Sequence, residues 1–143
     1  MTERPGATRR GRTSGPSLRL ELGRDLDAPA TARAAVREWC PELAGGAARR
    51  ETLLLLVSEL VTNAVLHSQG PVDAPIHVGA SVEDERVRVE VTDAGERFTR
   101  VPRGPPRPGA RATIGGYGLY VVDQAASRWG VDRECGTRVW FEI

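Results

Sequence analysis

Residues 58–67 read SELVTNAVLH and directly follow a run that includes four consecutive leucines, Leu53 to Leu56. A helix through this stretch places Glu59 and Asn63 next to each other on one face, because they are four residues apart. A carboxylate and an amide are costly among apolar side chains unless something binds them. The stretch therefore predicts a packed helix that carries a polar site.

The length and composition indicate one folded domain. The chain has 143 residues, of which 40% are hydrophobic and 27% charged. It contains no apolar run near the roughly 20 residues that a membrane-spanning helix requires, and the basic start of the chain has no apolar segment behind it, unlike a secretory signal. Cys40 and Cys135 lack the spacing of a disulfide framework or a metal site. We expect a cytoplasmic domain with reduced thiols and no membrane association.

The charge is uneven along the chain. The first 17 residues carry four arginines against one glutamate, whereas the remainder carries 16 arginines against 18 acidic residues. We expect residues 1–16 to form a disordered basic tail, and the domain that follows gives no electrostatic case for direct nucleic-acid binding. All 20 basic residues are arginine. The absence of lysine excludes a P-loop, a eukaryotic-type protein kinase and a pyridoxal Schiff base.

Residue periodicity predicts the element order β-α-α-β-β-α-β-β. Alternating apolar residues predict strands at 17–25, 76–82, 86–93, 128–133 and 137–143, and helices are predicted at about 28–40, 47–67 and 117–126. The segment 94–116 is rich in proline and glycine, which is typical of a functional loop or lid. Two or three helices against one mixed or antiparallel sheet form a two-layer α/β sandwich, an α+β fold.

Three further short motifs carry groups that suit a ligand. Asp93 stands where a strand gives way to the long loop, and its carboxylate can accept a hydrogen bond from an exocyclic amine. Gly95 lets the backbone turn tightly there and approach a ligand closely. The run Gly115-Gly116-Tyr117-Gly118-Leu119 opens a helix, where backbone N–H groups favour phosphate. Gly136 and Thr137 open the last strand. Taken singly, each has an ordinary explanation as a turn or a helix start, and the Glu59–Asn63 pair has one as a solvent-facing pair.

Taken together and in this order, the segments SELVTNAVLH, VTDAG, GGYGLYVVDQAASRWGV and GTRVWFEI resemble the N, G1 and G2 boxes and the terminal strand of the GHKL ATP-binding superfamily. The resemblance covers about residues 17–143 and is greatest to the anti-sigma-factor serine/threonine kinases. It implies the Bergerat ATP-binding fold, with a mixed sheet covered by helices on one face and a lid at about 94–116. It also implies ATP and Mg²⁺ as cofactors.

The resemblance implies a role for each matching residue. Glu59 resembles the general base, Asn63 resembles the asparagine that holds Mg²⁺ against the triphosphate, and Asp93 resembles the aspartate that reads the adenine amino group. The remaining matches would form the rest of the nucleotide site: Gly95, Gly115, Gly116, Gly118, Leu119 and Thr137.

Two positions depart from the family pattern. Arg97 stands where the first glycine box has its second glycine, and Tyr117 stands where a basic residue often precedes Gly-Leu. A lid cation for the γ-phosphate would then be Arg107 or Arg111.

The resemblance implies an ATP–Mg²⁺-dependent serine/threonine protein kinase that phosphorylates an anti-anti-sigma (STAS-type) protein and regulates a sigma factor, with a homodimer as one expected assembly. The departures keep open an ATP-binding regulatory module with little or no kinase activity. A third hypothesis is a detached catalytic half of a histidine kinase. It is disfavoured because no dimerisation helix precedes the domain.

Overall fold

The computed structural model describes residues 17–40, 42–43, 45–95 and 118–143. These ranges contain five strands and three helices in the predicted order: β1 (Ser17–Leu22), α1 (Ala28–Trp39), α2 (Gly46–His67), β2 (Ile76–Glu83), β3 (Arg86–Asp93), α3 (Gly118–Ala125), β4 (Arg128–Asp132) and β5 (Thr137–Glu142). The basic tail and nearly all of the predicted lid, including Arg107 and Arg111, lie outside the described residues. None of the three helices is long and apolar enough to cross a membrane.

The first strand ends three residues earlier than its alternating pattern predicts. It stops at Leu22, and the chain then turns at Gly23 to Asp27, where the Asp27 amide donates to the Asp25 carboxylate over 2.9 Å. The α1 helix begins at Ala28 with proline in its first turn, because the fixed φ of proline suits that position and its missing N–H costs nothing there.

The five strands form one sheet in the order β1-β2-β3-β5-β4. Every neighbouring pair in this sheet is antiparallel. The α+β class is confirmed, and of the mixed and antiparallel arrangements the described strands adopt the antiparallel one. The β3 strand lies at the centre, and its last residue, Asp93, is the direct cross-strand partner of Thr137 on β5.

One face of the sheet is covered by the helices. Alternate residues of β3 and β5 point into this layer, and Val87, Val89 and Val91 are fully buried together with Phe141. The α1 helix contacts β1, α2 lies over β2 and β3, and α3 contacts β4. The period of two along each strand therefore directs the side chain of Asp93 to the helix-covered side.

The opposite face of the sheet carries charged side chains. Arg88 donates to Glu142 over 3.0 Å, Arg138 donates to Asp132 over 2.7 Å, and the Arg88 guanidinium lies 4.1 Å from the centre of the Trp140 ring. Pairs that remain in contact with water contribute little to stability. This face of the sheet is therefore polar, while the core forms on the other face.

Two tight turns join the antiparallel strands. Asp84 and Glu85, between β2 and β3, have φ values of 47° and 67°, which is the left-handed geometry of a two-residue hairpin. Before β5, Gly136 has φ of 85°, and a Cβ on it would lie 2.2 Å from the Asp93 carbonyl oxygen. Glycine is therefore required for β5 to start directly beside the end of β3.

Candidate functional site

Most of the predicted site residues lie on or directly beside four of the described elements. The C-terminal half of α2 supplies Glu59 and Asn63, the end of β3 supplies Asp93 and Gly95, and the start of β5 supplies Thr137. The first residues of α3, Gly118 and Leu119, complete this group. Gly115, Gly116 and Tyr117 lie outside the described residues.

Asp93 is a buried carboxylate with a fixed orientation. Only 2% of its surface is exposed. Its Oδ1 accepts a hydrogen bond from the Gly95 amide at 2.9 Å and another from the Ser68 hydroxyl at 3.0 Å. Both of these donors converge on one oxygen, so the protein itself holds that end of the carboxylate in place.

The loop of residues Ser68 to Gly70, here called the 68–70 loop, packs against the end of β3 without space for a side chain. A Cβ on Gly95 would lie 2.5 Å from the Gly70 nitrogen and 2.8 Å from the Ser68 hydroxyl. A Cβ on Gly70 would in turn lie 3.0 Å from the Gly95 nitrogen. Both glycines are needed for this close approach, and the approach of Gly95 to a ligand stays a prediction.

Thr137 supports the same turn from the neighbouring strand. It is fully buried, and its hydroxyl donates to the Gly95 carbonyl over 2.7 Å. The family resemblance implied that Thr137 takes part in the nucleotide site. In the structure, its hydroxyl proton is committed to the backbone that follows Asp93.

Glu59 and Asn63 form the second part of the site. Asn63 is 3% exposed, and Glu59 is half-buried. Burial raises the pKa of the Glu59 carboxyl above its ordinary value, because desolvation disfavours the charged form. A carboxylate with a raised pKa is better able to accept a proton near neutral pH.

The start of α3 lies directly against Glu59. A Cβ on Gly118 would lie 3.2 Å from the Glu59 Oε2 atom and 3.5 Å from the Glu59 carbonyl oxygen. Leu119 is 3% exposed and belongs to the hydrophobic core, so its side chain anchors the helix. The N-terminal end of α3, with its partial positive charge, therefore lies next to the Glu59 carboxylate of α2.

The described residues contain no cluster of three or more His, Cys, Asp or Glu side chains that could enclose a metal ion by themselves. Asn63 is a single amide whose oxygen suits Mg²⁺, and this cation commonly takes the rest of its ligands from phosphates and water. The residues present therefore fit a metal that arrives with a phosphorylated ligand.

Sequence reasoning missed Arg24 and Ser68. The Arg24 guanidinium donates to the carbonyls of Val65, at 3.0 Å, and Gly70, at 3.2 Å, and also to the Ser68 carbonyl. Arg24 and Val65 are 41 residues apart in the chain, and no local pattern signals a contact over that separation. Ser68 stands in a turn-rich segment, where serine is common for conformational reasons alone.

Residues 23–143 match the family model of the histidine kinase-like ATPase domain. The chain belongs to this family. The GHKL resemblance is thereby confirmed, and with it the α+β fold that this resemblance implied.

Solved structures extend the comparison. The chain is similar to the crystal structure of the RsbU and RsbW domains of Rv1364c from Mycobacterium tuberculosis, with 25% sequence identity and a TM-score of 0.66. This match covers 89% of the present chain and 32% of the other, so the chain spans about a third of that structure. The histidine kinase domain from Erythrobacter litoralis EL346 blue-light activated histidine kinase matches over 66% of this chain and 44% of that one, with 29% identity and a TM-score of 0.47. None of the curated proteins matches.

The family match and the likeness to a structure that contains an RsbW domain support the anti-sigma kinase branch of the superfamily. The family is one of ATPase domains, which supports ATP binding and kinase-like chemistry in this chain.

Proposed function

We propose that this protein is an ATP–Mg²⁺-dependent serine/threonine protein kinase of the anti-sigma type. The observation that carries the proposal is the position of Glu59. Its carboxylate lies at the start of α3, one helical turn before the buried Asn63 amide. A domain that only bound a nucleotide would have no need for a half-buried carboxylate there, where burial is unfavourable for its charge.

Asp93 would bind the adenine end of the nucleotide. The two donors on Oδ1 orient the carboxylate, and an oriented carboxylate accepts a hydrogen bond from an exocyclic amine. Thr137 and Gly95 would hold the turn that keeps Asp93 in place. This arrangement favours a purine with a 6-amino group over one with a 6-oxo group.

Asn63 and the start of α3 would bind the phosphates. The amide oxygen of Asn63 would be one ligand of Mg²⁺, and this cation, when bound, neutralises charge on the phosphates. Gly115, Gly116 and Gly118 would present backbone N–H groups and the positive end of α3 to the same phosphates.

Glu59 would act as the general base. A serine or threonine hydroxyl of the protein substrate attacks the γ-phosphorus, the bond to the β–γ bridging oxygen breaks, and ADP leaves. The hydroxyl proton passes to Glu59. Phosphoryl transfer depends mainly on positioning and charge neutralisation, to which one base, one magnesium ligand and a polar helix start would contribute.

The substrate in this proposal is an anti-anti-sigma protein of the STAS type, with a sigma factor as the alternate partner, and the kinase would work as a homodimer in the cytoplasm. The support is the resemblance of the four sequence segments to anti-sigma kinases and the likeness to a structure with an RsbW domain.

A phosphotransfer assay with radiolabelled ATP tests the proposal against candidate STAS partners. Wild type is expected to label a partner, and Glu59→Gln is expected to slow labelling by about a hundredfold or more while ATP affinity is kept. Glu51→Gln is the matched control, since Glu51 is an exposed glutamate on the same helix. Unchanged labelling by Glu59→Gln would refute the role of Glu59 as base.

A second candidate is an ATP-binding regulatory module with little or no kinase activity. Arg97 in place of the second G1 glycine, and Tyr117 in place of the usual basic residue, favour it. Tight ATP binding by wild type, without transfer to any STAS protein tested and without any effect of Glu59→Gln, would establish this candidate instead.

A further inference from the structure

We propose that Arg24 is a positioning residue for the carboxylate of Asp93 and acts on it through the 68–70 loop. The proposal rests on the proposed role of Asp93 in binding adenine. Arg24 does not need to contact the nucleotide. Its effect is to hold the hydroxyl that orients the nucleotide-reading side chain.

The first step is the contact between Arg24 and the end of α2. The last carbonyls of a helix have no partner within the helix, and a cation is favourable at this negative end. Arg24 donates to the Val65 carbonyl at 3.0 Å and to the Ser68 carbonyl just beyond the last residue of the helix. The same guanidinium also reaches the Gly70 carbonyl at 3.2 Å. One side chain from the β1–α1 turn therefore holds both ends of the 68–70 loop.

The second step is the contact between the loop and Asp93. Ser68 accepts from Arg24 with its carbonyl and donates to Asp93 Oδ1 with its hydroxyl. The backbone of Gln69 and Gly70 closes against Gly95. A shift of the loop would therefore move the donor on Asp93 and the wall beside it together.

The third step is the choice of arginine. A planar guanidinium offers several N–H donors in a fixed geometry, so a single arginine can serve three carbonyls, whereas a lysine ammonium is a point charge on a flexible stem. The 68–70 loop lies outside regular secondary structure, between α2 and the Pro71–Ala74 turn. A loop that is held before the ligand arrives does not lose its freedom on binding, and this preserves affinity.

The chain offers a matched control at the opposite end of α2. Arg49 donates to the carbonyls of Glu85 and Ile143, each at 2.8 Å. It is also an arginine that joins α2 to distant backbone, but it does so far along the helix from Asp93. Loss of either arginine removes hydrogen bonds between elements, and only loss of Arg24 disturbs the 68–70 loop.

The test compares ATP with inosine triphosphate, which carries a 6-oxo group in place of the 6-amino group. Dissociation constants for both nucleotides are measured by calorimetry on Arg24→Ala, Arg24→Lys, Ser68→Ala, Asp93→Asn and Arg49→Ala, with the melting temperature of each.

We expect Arg24→Ala to weaken ATP binding about tenfold, with little change for inosine triphosphate, so that the preference for ATP falls. Ser68→Ala should change the preference in the same direction. Arg24→Lys should give a smaller loss, and Arg49→Ala should lower the melting temperature without changing the preference.

The outcomes separate the two proposals. If Asp93→Asn leaves the preference for ATP unchanged, the proposed adenine contact is wrong, and the role of Arg24 falls with it. If Asp93→Asn removes the preference while folded Arg24→Ala or Arg24→Lys retains it in full, Arg24 is only structural and this inference is overturned. If Arg24→Ala does not fold, Arg24→Lys and Ser68→Ala test the proposal instead. Full preference for ATP over inosine triphosphate in both of these variants would refute the positioning role of Arg24.

Discussion

The two halves of α2 bury different kinds of side chain. In the first half, residues 46–56, the buried residues are all apolar, namely Leu53, Leu54 and Leu56. In the second half, residues 57–67, four buried apolar residues share the interior with the amide of Asn63, and Ser68 at the C-cap is also buried. The first half of this helix therefore buries apolar side chains alone, whereas the second half buries both apolar and polar side chains.

The difference indicates what each half contributes to the protein. Apolar burial stabilises a fold at roughly 25 cal/mol for each Å² removed from water, whereas a buried polar group contributes little unless it is well paired. The first half is therefore the stabilising half. The second half carries buried polar groups as well, and Ser68, which follows it directly, donates to Asp93 at the end of β3. Changes in the two halves should separate stability from nucleotide binding.

The largest expected effect comes from removing a leucine in the first half. Leu56 is fully buried, while its neighbour Leu55 is 48% exposed. Leu56→Ala should lower the free energy of unfolding by about 2–5 kcal/mol, because it leaves a cavity. Leu55→Ala, the same change one residue earlier, should cost less than about 1 kcal/mol. Urea denaturation followed by circular dichroism measures both.

The comparison would be broken if the folded Leu56→Ala protein lost its preference for ATP over inosine triphosphate. That result would mean that packing in the first half sets the geometry of the second, and that α2 acts as a single unit.

The next effect concerns binding rather than stability. Asp93→Asn keeps an oxygen that can accept from Gly95 and Ser68 but removes the charge, so ATP binding should weaken by about 1–3 kcal/mol. The melting temperature should change little. Glu90→Gln is the control, because Glu90 lies on the same strand but on the opposite face of the sheet, where it pairs with Arg88 and Arg138. An equal loss of ATP affinity in Glu90→Gln would show that the effect is one of overall charge.

The architecture could be predicted from the sequence because its signals are local. The period of two in residues 86–93 and the apolar run before SELVTNAVLH predict a strand and a packed helix, and the four segments in order predict the family. The antiparallel course of the whole sheet did not follow from these signals, since strand pairing depends on contacts between distant residues. The end of β1 at Leu22 was also missed, although Arg24 stands where the alternation of Leu18, Leu20 and Leu22 would next place an apolar residue.

The candidate site residues could be chosen from short motifs, but the contacts that join them could not. The spacing of Glu59 and Asn63 places them on one face whatever the rest of the chain does. The bonds from Ser68 to Asp93 and from Thr137 to Gly95 join elements that no short motif spans. Arg24 lies in no recognisable motif. Its contacts form only when the fold brings the three carbonyls that it bonds close together.

The smallest effect sharpens the comparison within the second half of α2. Burial raises the pKa of the Glu59 carboxyl in the folded protein, so the folded state holds this proton more tightly than the unfolded state does. Above the raised pKa the carboxyl is charged in both states and its burial lowers stability; below its unfolded value it is neutral in both states and the penalty vanishes.

Glu59→Gln should therefore raise the melting temperature at pH 7–8, by an amount on the order of 1 °C because water screens a half-exposed group. This gain should shrink as the pH falls towards 5, whereas exposed Glu51→Gln should show neither the gain nor its loss. If Glu59→Gln instead lowered the melting temperature at pH 7–8, the Glu59 carboxylate would stabilise the fold. Burial of this group in the second half of α2 would then not reduce stability.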